Sequence, residues 1–160
     1  MHFSSESVEW PTPPEVLEKV LDCLGGIDLD PCADAAHTVP ARHHYTTDDD
    51  GLTHDWEGRI FMNPPYGRGV IDAWIEKLIS EFEAGRVTQA IALVPARPGS
   101  GWFHRLRDFP VAFWLGRVKF GQADTGAPFP SALFALGIAP ERFAESFDDV
   151  ADVYVRIKRE

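Results

Sequence analysis

Apolar residues along the chain recur with two different periods, and each switch between them marks a change from helix to strand. Val16, Leu17, Val20, Leu21 and Leu24 share one helical face, and Gly25-Gly26 ends that helix. Its start is predicted by Thr12-Pro13-Pro14-Glu15, with Thr as N-cap, Pro at the first helical position and Glu three residues after the cap, a capping box. Ile27-Asp28-Leu29-Asp30 alternates apolar with acidic and predicts a short strand closed by Pro31. A second short strand is expected over His43-His44-Tyr45-Thr46, before a polar loop at Thr47 to Leu52. Gly58 to Met62 is a further strand, and Val70, Ile71, Trp74, Ile75, Leu78, Ile79 and Phe82 repeat at helical spacing until Gly85. Thr88 to Pro95 is an almost continuous apolar run, as expected of a strand buried on both faces of a parallel sheet.

Strand, helix and strand in this order form a βαβ unit, normally right-handed. A short helix is expected from Trp102, and a strand over Val111 to Leu115, extended through Arg117 to Phe120. Ser131 to Leu136 gives another strand. With no helix between the last two, they are expected as an antiparallel pair at one edge of the sheet. Pro140 to Asp152 reads as a polar helix or loop, and Val153 to Ile157 as an added strand. The pattern predicts one α/β domain over residues 1–160, a doubly wound, mostly parallel sheet with an antiparallel edge pair. Residues 1–11 read as a lead-in finishing at Trp10-Pro11, with 1–9 flexible.

The stretch that stands out is Asn63-Pro64-Pro65-Tyr66, directly after the Gly58 to Met62 strand. Proline pushes the residue before it into extended geometry and offers no N–H, so Asn63 is held at a strand end. The Asn63 amide oxygen and the Pro64 carbonyl then form two acceptors on a stiff scaffold, with the Tyr66 ring beside them. Such a site suits a planar amine. Asp30 lies just past a strand end, where ligands bind in open α/β sheets, and is a candidate for a cationic or hydroxylated ligand. The loop after it, Cys32 to His37, lacks the glycines of a dinucleotide fingerprint.

Charge changes the picture only through its distribution. The 160 residues carry a net charge of −10, which by itself argues against a polyanionic partner. Residues 1–57 hold 2 basic and 13 acidic groups, whereas residues 58–120 hold 9 basic and 5 acidic, so a positive segment begins beside Asn63. Cys23 and Cys32 form no disulfide framework, and nothing at Met1 to Glu6 resembles a signal peptide or any later stretch a membrane span. A cytoplasmic location is the default expectation, without membrane contact. Cys32, His37, His43 and His44 match no zinc spacing, and Asp48-Asp49-Asp50-Gly51 lacks the alternating ligands of an EF-hand, so no metal is expected.

Asn63-Pro64-Pro65-Tyr66 resembles motif IV of the amino-directed S-adenosylmethionine-dependent methyltransferases. Trp10 to Glu15, Asp28 to Ala33, Asp50-Gly51-Leu52 with Trp56, Pro95-Ala96-Arg97 with Trp102-Phe103-His104, and Phe120 with Pro128 to Leu133 extend the likeness. Together they resemble the compact phage-type DNA N-6-adenine methyltransferases. The resemblance implies a Rossmann-like class I methyltransferase fold, S-adenosyl-L-methionine as cofactor, and methylation of a flipped-out adenine at N6 in double-stranded DNA. It implies catalysis by Asn63, Pro64, Pro65 and Tyr66, the last stacking on the base. Cofactor contacts are implied for Thr12, Pro13, Asp30, Pro31, Asp50 and Asn63. Cys32 to Ala35 stands where larger relatives carry a glycine-bearing loop.

Arg68, Arg97 and Lys119, with Arg105 and Arg117, flank loops at the ligand edge and are candidates for phosphate contact. Phe120 and Phe129 are candidates to enclose the base. The same tetrapeptide also serves enzymes acting on protein glutamine or RNA amines, and an inactive nucleic-acid-binding relative is the remaining alternative.

Overall fold

A computed structural model describes residues 10–121 and 126–159, so the lead-in over 1–9 lies outside the described residues. Seven strands form one sheet: β1 (Ile27–Asp30), β2 (Ala41–His44), β3 (Gly58–Met62), β4 (Val87–Pro95), β5 (Val111–Trp114), β6 (Ser131–Leu136) and β7 (Ala151–Tyr154). Their order is β2-β1-β3-β4-β6-β5-β7. The ladders from β2 to β4 are parallel, and those joining β4, β6, β5 and β7 are antiparallel. The expected pair of β5 and β6 is therefore present, but β7 continues it outward and occupies the edge. Among the described residues no helix is long and apolar enough to cross a membrane.

Alternation along the central strands sorts side chains between two cores. Phe61, Ile91, Leu93 and Leu133 face the layer of α1 (Pro14–Leu24) and α4 (Pro140–Phe147), meeting Val16, Val20, Phe143 and Phe147. Ile60, Met62, Ala90, Ala92 and Phe134 face the other layer, meeting Ile75 and Leu78 of α2 (Ile71–Glu83) and Trp102 of α3 (Gly101–His104). Helices thus cover both faces, the doubly wound arrangement. Because β1, β3 and β4 run the same way, Asp30, Asn63 and Pro95 come out at one rim.

Three local expectations are corrected. The strand expected over His43 to Thr46 begins two residues earlier, at Ala41, in parallel register with β1. Arg117 to Phe120 does not extend β5: Gly116, at φ 72°, turns the chain out of the sheet. The capping box does not form. Pro13 precedes Pro14 and is held extended at φ −75°, ψ 157°, so it takes the N-cap position itself and the helix starts one residue later. Thr12 is freed for another partner.

Candidate active site

Asn63 leaves β3 extended, and four chain segments converge on it. Its backbone carbonyl accepts a hydrogen bond from the Cys32 thiol at 3.2 Å. Its side-chain Nδ2 donates to the Trp10 carbonyl at 2.6 Å and to Thr12 Oγ1 at 3.0 Å. Oδ1 accepts from the Tyr66 hydroxyl at 2.6 Å, and that hydroxyl also lies 3.2 Å from the Leu93 carbonyl of β4. Among the described residues no backbone N–H donates to the Pro64 carbonyl, which leaves that acceptor for an incoming group.

Tyr66 is placed differently from a free stacking surface. Its ring meets Phe129 edge-on at 5.5 Å and Phe120 at 6.3 Å, while Trp10 meets the same two phenylalanines at 5.5 and 5.4 Å. Burial pushes the Tyr66 phenol well above its ordinary pKa, so it remains a donor at neutral pH. The four aromatic rings form one wall beside Asn63, and the Arg97 guanidinium sits 5.7 Å over Phe129. Phe120 and Phe129 are thus brought to Asn63, and so is the lead-in's end at Trp10-Pro11, which is packed and held by Gly121 N–H donating to the Pro11 carbonyl at 3.0 Å.

Asp30 ends β1 with 3% of its surface exposed. Its Oδ1 accepts the Cys32 backbone N–H at 3.2 Å, and among the described residues no cation pairs with it. Burial pushes its carboxyl up to about 7. Pro31 is pressed against Gly51: a Cβ there would come 2.0 Å from the Pro31 carbonyl, so only glycine permits this approach. Gly51 thereby brings Asp50, exposed and at φ 53°, beside the Asp30-Pro31 turn. A buried acceptor carboxylate, an exposed one and a closely approached backbone turn could hold a hydroxylated, cationic ligand.

Of the residues singled out from sequence, Thr12, Asp30, Pro31, Asp50, Asn63, Pro64 and Tyr66 gather at this rim. Pro13 caps α1 immediately beside Thr12. Arg68, Arg97 and Lys119 are exposed and form no ion pair among the described residues, whereas Arg105 is engaged with Glu76 at 3.6 Å and Arg117 donates to the Ala127 carbonyl at 3.3 Å. His37 and His44 stack on each other at 4.1 Å, and among the described residues no three His, Cys, Asp or Glu form a metal-binding group. Sequence reasoning missed the Trp10 and Leu93 carbonyls and the Cys32 thiol. Backbone acceptors carry no residue signature, and only the nearness of Trp10 to Thr12 hinted at one.

Residues 3–134 match the DNA N-6-adenine-methyltransferase (Dam) family. The chain belongs to this family of methyl-transferring enzymes. No curated protein matches this Dam family member. The crystal structure of the 23S rRNA methyltransferase ErmE shares its fold, with a TM-score of 0.52 and 13% identity over 82% of this chain and 70% of that one. At that identity the likeness concerns architecture: a seven-stranded mixed sheet with a parallel part, as in a class I methyltransferase. At the rim of β1, β3 and β4 in this Dam family member, the Asn63 side chain is held by three hydrogen bonds.

Proposed function

We propose that this Dam family enzyme takes its methyl group from S-adenosyl-L-methionine and transfers it to N6 of an adenine flipped out of double-stranded DNA. The observation that carries the reading is the Asn63 amide, held from behind by Trp10 and Thr12 with Oδ1 already accepting a hydroxyl proton. The exocyclic amine of adenine is a weak nucleophile because its lone pair is delocalised into the ring. Asn63 Oδ1 and the Pro64 carbonyl would accept its two hydrogens and bind more strongly as positive charge develops on nitrogen. The cofactor supplies an electrophilic methyl on a sulfonium. Held by these two acceptors, the amine would be aimed at that carbon and would take the methyl with the C–S electron pair left on sulfur and its surplus proton released to water. Alignment of the amine by two fixed acceptors contributes much of the acceleration.

Asp30 fits the cofactor's charge and hydroxyls: a buried carboxylate without a cation is lowered in energy by a cationic, hydroxyl-bearing ligand. Asp50, Pro31 and the Thr12-Pro13 turn border the same space. The base has to leave the stack to reach Asn63, and the wall of Trp10, Tyr66, Phe120 and Phe129 beside Asn63 would enclose it. Oδ1 has two lone pairs, so it can accept the amine beside the Tyr66 hydroxyl, and that hydroxyl has the Leu93 carbonyl, 3.2 Å away, as a second acceptor. Arg68, Arg97 and Lys119 are proposed to touch phosphates, which would make DNA affinity fall with salt. Incubation with S-adenosylmethionine tritiated on the methyl group, with DNA and RNA in parallel, tests the reading. Label recovered as N6-methyladenine in duplex DNA is the expected result; label only in RNA or protein would overturn it.

A further inference from the structure

The geometry points to Thr12 and the Trp10 carbonyl as positioning groups that fix the orientation of the Asn63 amide, and this rests on the proposal that Asn63 Oδ1 accepts the adenine amine. A primary amide has two orientations related by a half-turn, equal in shape and opposite in hydrogen bonding. One offers an oxygen to the incoming amine. The other offers an N–H, donor against donor, and would repel it. Nothing in Asn63 itself chooses between them.

The residues behind it make the choice. A carbonyl can only accept, so the Trp10 oxygen, 2.6 Å away, admits the amide nitrogen and rejects the oxygen. Thr12 Oγ1, 3.0 Å away, accepts the same NH2 group. Both partners are themselves held. Thr12 is buried with 3% of its surface exposed, is β-branched, and precedes a proline that keeps its backbone extended. Trp10 is wedged edge-on against Phe120 and Phe129. With both N–H groups engaged in donating, the amide oxygen becomes the richer acceptor, because hydrogen bonds in a chain polarise one another. The Thr12 hydroxyl therefore acts through Asn63, on turnover, instead of serving as a helix cap or primarily as a cofactor contact.

The test uses the full chain. Thr12→Val keeps the shape and removes the hydroxyl; kcat is expected to fall about 10- to 100-fold, the scale of a misaligned reacting group. The S-adenosylmethionine Kd and the KM for DNA should change less than about threefold, and Thr12→Ser, which restores the hydroxyl, should recover most of kcat. Wild-type kcat in Thr12→Val, a loss carried by cofactor Kd, or failure of Thr12→Ser to recover would each overturn the inference. Should Thr12→Val not fold, Asn63→Asp asks the same question: a carboxylate cannot donate to the Trp10 carbonyl, so kcat should fall as far as in Asn63→Ala, and near-wild-type turnover would contradict it. Asn63→Ala separates the two layers. If it keeps full activity, the role of Asn63 itself fails; if it is inactive while Thr12→Val is normal, only the positioning role fails.

Discussion

Two carboxylates in this protein are buried to the same degree, each with 3% of its surface exposed, and they stand in opposite chemical states. Glu81, near the end of α2, lies at the rim where β3 and β4 begin. Arg86 donates to both of its oxygens at 2.9 and 2.7 Å, the Trp56 backbone N–H adds a third bond at 2.8 Å, and Lys77 is 3.6 Å away. Led by the Arg86 guanidinium, these partners hold its carboxyl down to about 2. Asp30, at the opposite rim, has one backbone N–H at 3.2 Å and a carboxyl raised to about 7. Burial of charge is offset at one end of the sheet by paired cations, and at the other only by one backbone N–H, which the proposed cationic cofactor would supplement. On the proposed function, that asymmetry separates the end of the fold that maintains structure from the end that binds the cofactor.

The largest expected effect breaks the structural side. Glu81→Ala leaves a buried Trp56 N–H unsatisfied, while the half-exposed Arg86 turns to water, and should lower stability by about 1–3 kcal/mol in urea unfolding, the range for an unpaired buried donor. Cofactor affinity of the molecules that remain folded should be unchanged. Asp30→Asn is the mirror image. It should weaken S-adenosylmethionine binding about 10- to 100-fold by calorimetry, the loss of a hydrogen-bonded charge. At pH 8 it should leave the unfolding midpoint equal or higher, because an unpaired buried charge has gone.

pH sharpens the same contrast with a smaller effect. Asp30 has a folded pKa near 7, above its ordinary value, so between that ordinary value and about 7 the folded state holds the extra proton. Its contribution to stability therefore declines as pH rises through this window. Glu81, with a folded pKa near 2, contributes stability above the ordinary glutamate range that is lost as pH falls toward 2. Unfolding midpoints at pH 5 and pH 8 should show the first slope in the wild type and its loss in Asp30→Asn. Cofactor affinity should rise across the same interval as Asp30 ionises. Smallest of all, Arg97→Ala should raise the KM for DNA only a few-fold, with a shallower dependence on salt measured from 50 to 200 mM, as expected for one phosphate contact.

Sequence reasoning reached some of this molecule and not the rest, for physical reasons. The period of Ile71, Trp74, Ile75, Leu78 and Ile79 is set by one buried face, so α2 was readable locally. The Asn63 strand end was readable because prolines restrict their neighbours whatever surrounds them. Thr12 was misread as a cap because Pro13 and Pro14 both compete for the first helical position, and its actual partner lies 51 residues away. Glu81 carries no signal in the helical period of α2, since its burial depends on Trp56 and Arg86 folding over it. The insertion of β6 between β4 and β5 is likewise a tertiary fact, as is the contact between Gly51 and Pro31 that joins two halves of the proposed cofactor site.

The central claim is that the Asn63 amide oxygen receives the adenine amine. Its most direct test is methyl transfer by Asn63→Ala from tritiated S-adenosylmethionine to adenine-containing duplex DNA, with cofactor Kd measured on the same preparation. The account predicts cofactor binding within about threefold of wild type and transfer reduced by at least about 100-fold, the effect of removing one acceptor aimed at developing charge. N6-methyladenine formed at the wild-type rate would contradict it.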